Sequence, residues 1–512
     1  MSSRLTAVYT GMTTCTSTEP EDTRLLEQAS AQDTDARPTE SPYSVLRWLV
    51  LATFVVILNE TVMVNAIPRL MVEFEASARS AQWLSTAFML TVAVVIPVTG
   101  WFLQRVSTRR AFLTAMSLFL TGTLVAALAP TFLLLVVGRV VQASGTAIML
   151  PLLMTTLMSI VPEQDRGRVM GNVTLAISVA PALGPAVSGV VLQFASWRWL
   201  FGMVLPVAAL ITWISMRRLT DVGETRESSL DVPSVVLAAL GFGTFVYGVS
   251  RIGTRDGSAV PAPVLVVAGL AVVTAFLLRQ RRLQGSDAPL LDLRVLGYRT
   301  YAVGIAVQSV SFLAMMGAMI LLPLYLQDLR GLTPLQTGLL VAPGGLAMGL
   351  LGPRIGRAFD RYGARPLVVP GSIAVVVALG LLSRLSESTP YTAVLGDHTL
   401  LMVGLAALFT PVFTLSLAAL PAHLYSHGSA LLGTTQQVSA AIGTAISVTV
   451  LTARTTALLD DGAAPSAAFV GGVQWAFGAA ALIAVAVVAL VLTLPSRADS
   501  HEPTEAVDKP AA

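Results

Sequence analysis

Apolar runs close to twenty residues long, separated by short polar stretches, repeat from about residue 46 to about residue 494. A hydrocarbon core of roughly 30 Å takes about twenty apolar residues of helix. It offers no water to satisfy an open strand, so each run reads as a membrane-spanning helix. The runs fall at about 46–68, 83–103, 111–130, 132–155, 169–194, 199–216, 232–251, 261–279, 301–326, 335–356, 367–385, 399–421, 429–453 and 471–494. The pattern predicts an all-α polytopic membrane protein with fourteen spans. Twelve or thirteen is the alternative count, and the charge pattern favours an even number.

The arginines orient the chain. With the N-terminus placed in the cytoplasm, seventeen arginines fall in cytoplasmic loops and eight in outside loops. That is the direction of the positive-inside rule. Both termini are therefore expected in the cytoplasm, with the chain crossing the plasma membrane many times.

Composition adds mainly exclusions. The chain is 54% hydrophobic and only 12% charged, with a mean hydropathy of +0.74; a soluble protein carries about 25% charged residues. A net charge of +3 would suit a nucleic-acid binder, but there is no soluble basic domain to do the binding, so no nucleic-acid partner is expected. Cys15 is the single cysteine, which leaves no disulfide and no cysteine metal site within the chain. The four histidines, His398, His423, His427 and His501, are not spaced like metal ligands. No glycine-rich nucleotide loop with a following lysine is present. Neither metal, cofactor nor enzymatic activity is expected. Residues 1–44 and 495–512 are polar and read as disordered cytoplasmic tails. The first tail has no apolar core like that of a secretory signal.

Two loops look alike. One runs Gly100-Trp-Phe-Leu-Gln104-Arg105-Val-Ser-Thr-Arg109-Arg110, the other Gly356-Arg357-Ala-Phe-Asp360-Arg361-Tyr-Gly363-Ala-Arg365. Each has a glycine, a polar position followed by arginine, and a basic end. The repeat divides the chain into two six-helix halves, 45–218 and 299–494, with two inserted helices and their loops at 219–298.

Ionisable groups inside spans are costly and default to functional hypotheses. Two lie deep. Glu60 sits in Leu58-Asn59-Glu60-Thr61-Val-Met-Val-Asn65-Ala-Ile-Pro68, and Arg139 in Gly138-Arg139-Val-Val-Gln142-Ala-Ser-Gly145-Thr146. A carboxyl in low dielectric favours its protonated form and releases the proton when water or a cation reaches it. Glu60 is thus a candidate proton carrier, the bland alternative being a structural carboxyl that joins helices. Arg139 stays charged and needs a partner. Gln142 and Thr146 continue one polar stripe, expected to face a cavity. Its role is either to bias Glu60 or to act as a buried strut.

Weaker signals remain. Ala176, Ala180, Gly184 and Ser188 form a small-residue stripe for close helix packing. Pro181 and Pro185 remove two backbone donors in the same helix. Asn172, Gln308, Gln436 and Gln437 either line a substrate cavity or bond to neighbouring helices. His423 and His427 are expected at a solvated helix boundary. Asp231 fits a helix N-terminus.

Together these segments resemble the fourteen-helix drug:proton antiporters of the major facilitator superfamily, over about Leu46 to Leu494. The Leu58–Pro68 stretch, with Asn59, Thr61, Asn65 and Pro68, is similar to that branch's first-span motif. There aspartate usually stands at the position of Asn59, and the displaced acid Glu60 is similar to the lincomycin-resistance-like subgroup. Gly138-Arg139-Val-Val-Gln142 resembles the fourth-span motif, which implies proton coupling for Arg139. Pro181, Gly184, Pro185 and Gly189 match the antiporter motif, which implies export. Gly100, Arg105 and Arg109, with Gly356, Asp360, Arg361, Gly363 and Arg365, resemble the cytoplasmic gating loops. Gln104 and Ser107 depart from the usual aspartate and glycine there. Trp197-Arg198-Trp199-Leu-Phe201 and Ser426-His427-Gly428-Ser429-Ala430 also look like this branch.

The resemblance implies a major facilitator fold and a monomer that exports small lipophilic molecules in exchange for protons. A dedicated exporter of one self-made metabolite, a proton-coupled importer and a transport-dead membrane sensor are the alternatives.

Overall fold

The computed structural model describes residues 43–76, 78–219, 221, 230–252, 260–286 and 289–497. All but the innermost residues of the two tails lie outside that description. Among the described residues there is no strand.

Fourteen long helices follow one another among the described residues. The first seven are α1 Tyr43–Val62, α2 Ala78–Arg105, α3 Thr108–Ala127, α4 Phe132–Ile160, α5 Arg166–Phe194, α6 Val204–Arg218 and α7 Val232–Ser250. Then come α8 Ala262–Leu283, α9 Arg299–Leu324, α10 Pro334–Tyr362, α11 Arg365–Leu382, α12 Tyr391–Ala418, α13 Tyr425–Asp460 and α14 Pro465–Leu492. Thirteen candidate spans among the described residues have the length and apolar character to cross a membrane. The remaining helix, α5, is 29 residues long and packs between α1 and α10. Several connections are only a few residues long, as between α2 and α3 and between α4 and α5, so those neighbouring helices run in opposite directions. We call the end where α1 starts and α14 stops the tail end.

Boundaries differ from the apolar runs where polar residues extend a helix past the hydrocarbon. α13 begins at Tyr425 rather than near 429 and runs for 36 residues. His427 is therefore not at a solvated boundary: it is buried on this helix, whereas His423 just before it is exposed. α1 stops earlier than its run. A 3-10 turn, Met63–Ala66, interrupts it before a short helix at Ile67–Glu73 with Pro68 in its first turn. Proline cannot donate to the preceding turn, so it restarts the helix rather than continuing it. The break falls three residues after Glu60. α5, by contrast, remains helical through positions 181 and 185.

One large apolar core joins α1, α3 and α4 to α7, α8 and the buried Leu290, Leu291 and Val295 of the α8–α9 connection. A second core belongs to α9, α11, α12 and α14. α7 packs on α2 and α13, and α8 packs mainly on α7. Asp231 fixes this pair. It caps α7 by accepting from the Ser234 amide (3.2 Å) and takes two 2.7 Å hydrogen bonds from Arg279 of α8. Gln280 then donates to Ser234 Oγ (2.7 Å) and accepts from the Leu290 and Leu291 amides.

Candidate functional site

α1 carries Glu60 against the helices that bear the other polar groups. It packs on α5, α4 and α6. Glu60 is half-buried and, among the described residues, takes no hydrogen bond or ion pair from the protein. Asn59 before it is buried, with its Oδ1 unpartnered. Thr61 after it donates to the Leu58 carbonyl (2.9 Å). Gly184 of α5 touches Thr61 so closely that an added Cβ would lie 2.8 Å from the threonine Cβ. The small residue at 184 is what lets α5 approach the segment that holds the acid. The side chains of Asn65, Pro68 and Pro185 lie outside the described residues.

Arg139 is fully built into the protein. It is only 2% exposed, donates to Gln142 Oε1 at 2.6 Å and lies 4.2 Å from the centre of the Phe88 ring of α2. Gln142 in turn donates to Thr123 Oγ1 of α3 at 2.7 Å, and Thr123 donates to the Phe119 carbonyl at 2.6 Å. This corrects the expected stripe: Gln142 is buried and turned to α3 rather than to a cavity. The reason is energetic. A permanent cation in hydrocarbon needs an acceptor and a polarisable face, and an amide plus a ring supply both. Thr146 is half-buried and donates to the Gln142 carbonyl. Glu60 and Arg139 feel each other's charge without a direct ion pair. The arrangement puts a carboxyl with no hydrogen-bond partner among the described residues within electrostatic reach of a cation whose geometry is fixed.

The second set of motif residues gathers at the tail end. Asp360, on the last turn of α10, accepts from the amides of Gly167 (2.8 Å) and Arg168 (2.7 Å), at the start of α5. A carboxylate here satisfies donors that a helix start leaves open and complements its dipole. Behind it α5 and α10 meet backbone to backbone: a Cβ on Gly352 would lie 2.7 Å from the Gly171 carbonyl, and Gly356 presses on Gly167. Gly363 ends α10 with φ 80° and donates to the Phe359 carbonyl. Arg365 donates to the Leu494 carbonyl at 3.0 Å, and Arg361 lies 5.3 Å from the Tyr362 ring.

The first-half loop sits in the mirrored place with different chemistry. Gln104 donates to the His423 carbonyl at 2.8 Å, next to the start of α13. Gly100 packs on His427, Arg105 lies 5.8 Å from the Trp101 ring, and the Arg109 amide donates to Asp221. Where aspartate would accept from helix amides, glutamine donates to a carbonyl.

Sequence reasoning missed further polar contacts between the first six and the last six helices. Thr155 of α4 and Ser429 of α13 are hydrogen-bonded at 2.9 Å, as are Thr174 of α5 and Thr410 of α12. Arg166 bonds to the Met158 and Val161 carbonyls and to Tyr425 Oη (3.4 Å). Single hydroxyls in a span carry no signal until their partner is known. At the opposite end Glu73 accepts from Trp197 Nε1 and from Arg198, each at 2.5 Å. The Arg198 guanidinium and Trp197 indole hold the Glu73 carboxyl below its ordinary range.

The four cavity candidates separate. Gln308 is buried and donates to the Phe409 carbonyl (3.5 Å), so it joins α9 to α12 rather than lining open space. Asn172 is exposed, and Gln436 and Gln437 are half-buried. Pro181 and Gly189 are half-buried on α5. Among the described residues no cluster of His, Cys, Asp or Glu has metal-site geometry.

Known proteins fit this arrangement. Residues 49–444 match the model of the Major Facilitator Superfamily. Lincomycin resistance protein LmrB of Listeria monocytogenes is 38% identical over 442 residues, covering 85% of this chain and 93% of the relative. The Multidrug resistance protein B homolog of Mycobacterium tuberculosis is 30% identical over 407 residues, covering 79% and 75%. Among solved structures, the proton:xylose symporter XylE aligns with a TM-score of 0.60 at 14% identity, covering 91% of this chain and 98% of that one. The human organic anion transporter MFSD10 gives 0.59 at 15% identity, covering 88% and 99%. With the family model spanning most of its helices and relatives matching along most of its length, this chain belongs to the Major Facilitator Superfamily.

Proposed function

We propose that the protein is a proton-coupled antiporter that exports small lipophilic drugs or antibiotics by alternating access, working as a monomer in the plasma membrane with both termini in the cytoplasm. The observation that carries this reading is Glu60: a half-buried carboxyl in the last turn of α1, just before its break, with no protein partner among the described residues and within reach of the charge of Arg139. An acid held by a salt bridge would be a strut. One left open beside a fixed cation can take a proton and lose it as its surroundings change.

The direction of transport is supported by the α5 sequence around Pro181 and Gly184 and by the drug-resistance names of the relatives. In this scheme the two halves, residues 45–218 and 299–494, rock about a central cavity. The tail-end contacts between α5 and α10 and between α2 and α13 close the cytoplasmic side. Protons enter Glu60 from outside, substrate leaves, and return of the proton to the cytoplasm comes when the tail end opens. Asn172, Gln436 and Gln437 are the polar groups offered to substrate.

The test uses inside-out vesicles containing the full chain, with ethidium and lincomycin as probes and an imposed pH gradient. Proton-driven uptake of either probe that falls to background in Glu60→Gln, with the protein still inserted and folded, supports the reading. Undiminished gradient-driven uptake in that variant rejects it. Uptake of neither probe by the unaltered protein rejects broad drug export in favour of a dedicated substrate.

A further inference from the structure

At the tail end of the last six helices a cavity of about 220 Å³ opens between three helix ends. Its wall is made by Arg299, Thr300 and Val303 at the start of α9, Arg365 at the start of α11, and Thr493 and Leu494 just after α14. Among the described residues no carboxylate lines it. The Arg365 Nε hydrogen bond to the Leu494 carbonyl holds that guanidinium at the wall. Arg299 is exposed. Two guanidinium groups sharing a small concavity repel each other unless an anion sits between them. Both are planar forks suited to phosphate oxygens, and the Thr300 hydroxyl adds a neutral donor, while the Thr493 hydroxyl donates to the Leu490 carbonyl.

Size and surroundings narrow the ligand. Pockets for drug-sized molecules measure about 300–1,000 Å³, so this one suits a headgroup and not an exported compound. An apolar stripe leads to it. Leu482, Val485, Ala486, Ala489 and Leu492 of α14 are exposed at helical spacing, and the stripe ends at Thr493 in the cavity wall. A charged cavity continued by an uncovered hydrocarbon-compatible stripe has the two-part character of a phospholipid.

We propose that the cavity between the ends of α9, α11 and α14 is a binding site for the phosphate headgroup of an anionic phospholipid, clamped by Arg299 and Arg365, with its acyl chain along α14. The site is independent of Glu60 and of the transport reading.

The full chain is purified in neutral detergent, and retained lipid is measured by native mass spectrometry with phosphatidylglycerol or phosphatidylcholine added. Phosphatidylglycerol is expected to be retained in preference by about fivefold, the worth of one arginine near an anionic surface. Arg299→Gln should bring the two lipids close to parity, while Arg354→Gln, a tail-end arginine outside the cavity, should leave the preference intact. Three results would overturn the proposal: equal retention of both lipids by the unaltered protein, an unchanged preference in Arg299→Gln, or displacement of phosphatidylglycerol by millimolar inorganic phosphate. The last marks a site for free anions and needs no variant to be informative.

Discussion

Arg139 is tolerable in an apolar bundle because its guanidinium uses a short hydrogen bond to Gln142 and the face of Phe88 together. Arg139→Lys keeps the charge but has neither the planar fork nor the same stacking. Vesicle transport in that variant is expected to fall by at least about tenfold, equivalent to about 1.4 kcal/mol in the rate-limiting barrier. Thr123→Val removes the acceptor that orients Gln142 and leaves a buried amide short of a partner, a cost of about 1–3 kcal/mol. Thr123→Ser should restore it, as read by thermal unfolding in detergent. Gly184 belongs to the same neighbourhood from the other side. Gly184→Ala pushes a methyl group into Thr61 and should destabilise by about 1–3 kcal/mol through overpacking. A variant as stable as the parent would mean that α5 can retreat from α1 without cost.

At the scale of elements, two helix starts are held by aspartates from elsewhere in the chain or just ahead of them. Asp360 reaches from the end of α10 to the start of α5. Asp360→Asn should weaken that cap by about 0.5–2 kcal/mol and raise the accessibility of the tail-end seal to a membrane-impermeant thiol reagent on a cysteine introduced at Thr155. Asp231 caps α7 and binds Arg279 of α8, and that guanidinium pulls its carboxyl from the ordinary 3.8 down to about 2. Because the folded state holds the carboxylate more strongly than the unfolded chain, the stabilisation is complete above about pH 4. It is lost as pH falls toward about 2. Thermal unfolding of the purified protein between pH 5 and pH 2 should decline more steeply for the parent than for Asp231→Asn. Parallel curves would show that this ion pair contributes nothing to the stability of the inserted helices.

For the whole molecule, the proposed alternating-access cycle requires the tail-end contacts between the first six and last six helices to separate. Thr155 and Ser429 are hydrogen-bonded between the two sets at 2.9 Å. That contact brings the two side chains close enough for a crosslink between cysteines at these positions to be tested. The pair Thr155→Cys and Ser429→Cys, with Cys15→Ser to remove the native thiol, is expected to crosslink on oxidation and stop transport, and reductant should restore it. Transport that continues with the crosslink fully formed would show that this end of the bundle does not open during the cycle.

Whether a feature is legible in the sequence depends on whether it is local. Helix number and class follow from run length, since a bilayer permits few other solutions, and the ends of α1 and α13 depart from it because a proline restart and a polar extension override hydropathy. Glu60, Arg139 and the two loops stand out because charge in a span and a repeated basic motif are visible one residue at a time. Thr123, Phe88, Ser429, Thr410 and Glu73 do not, because each acquires meaning only from a partner far along the chain.

The sequence alone determined the membrane-spanning helices, the family and the presence of an acid within the first span, through hydrophobic length and the cost of burying charge. Tertiary structure alone decided that the Gln142 stripe turns inward to hold Arg139, that Gln308 is a tie between helices, and that His427 is buried. Those outcomes depend on which faces of distant helices meet, and periodicity along one helix does not specify its neighbour.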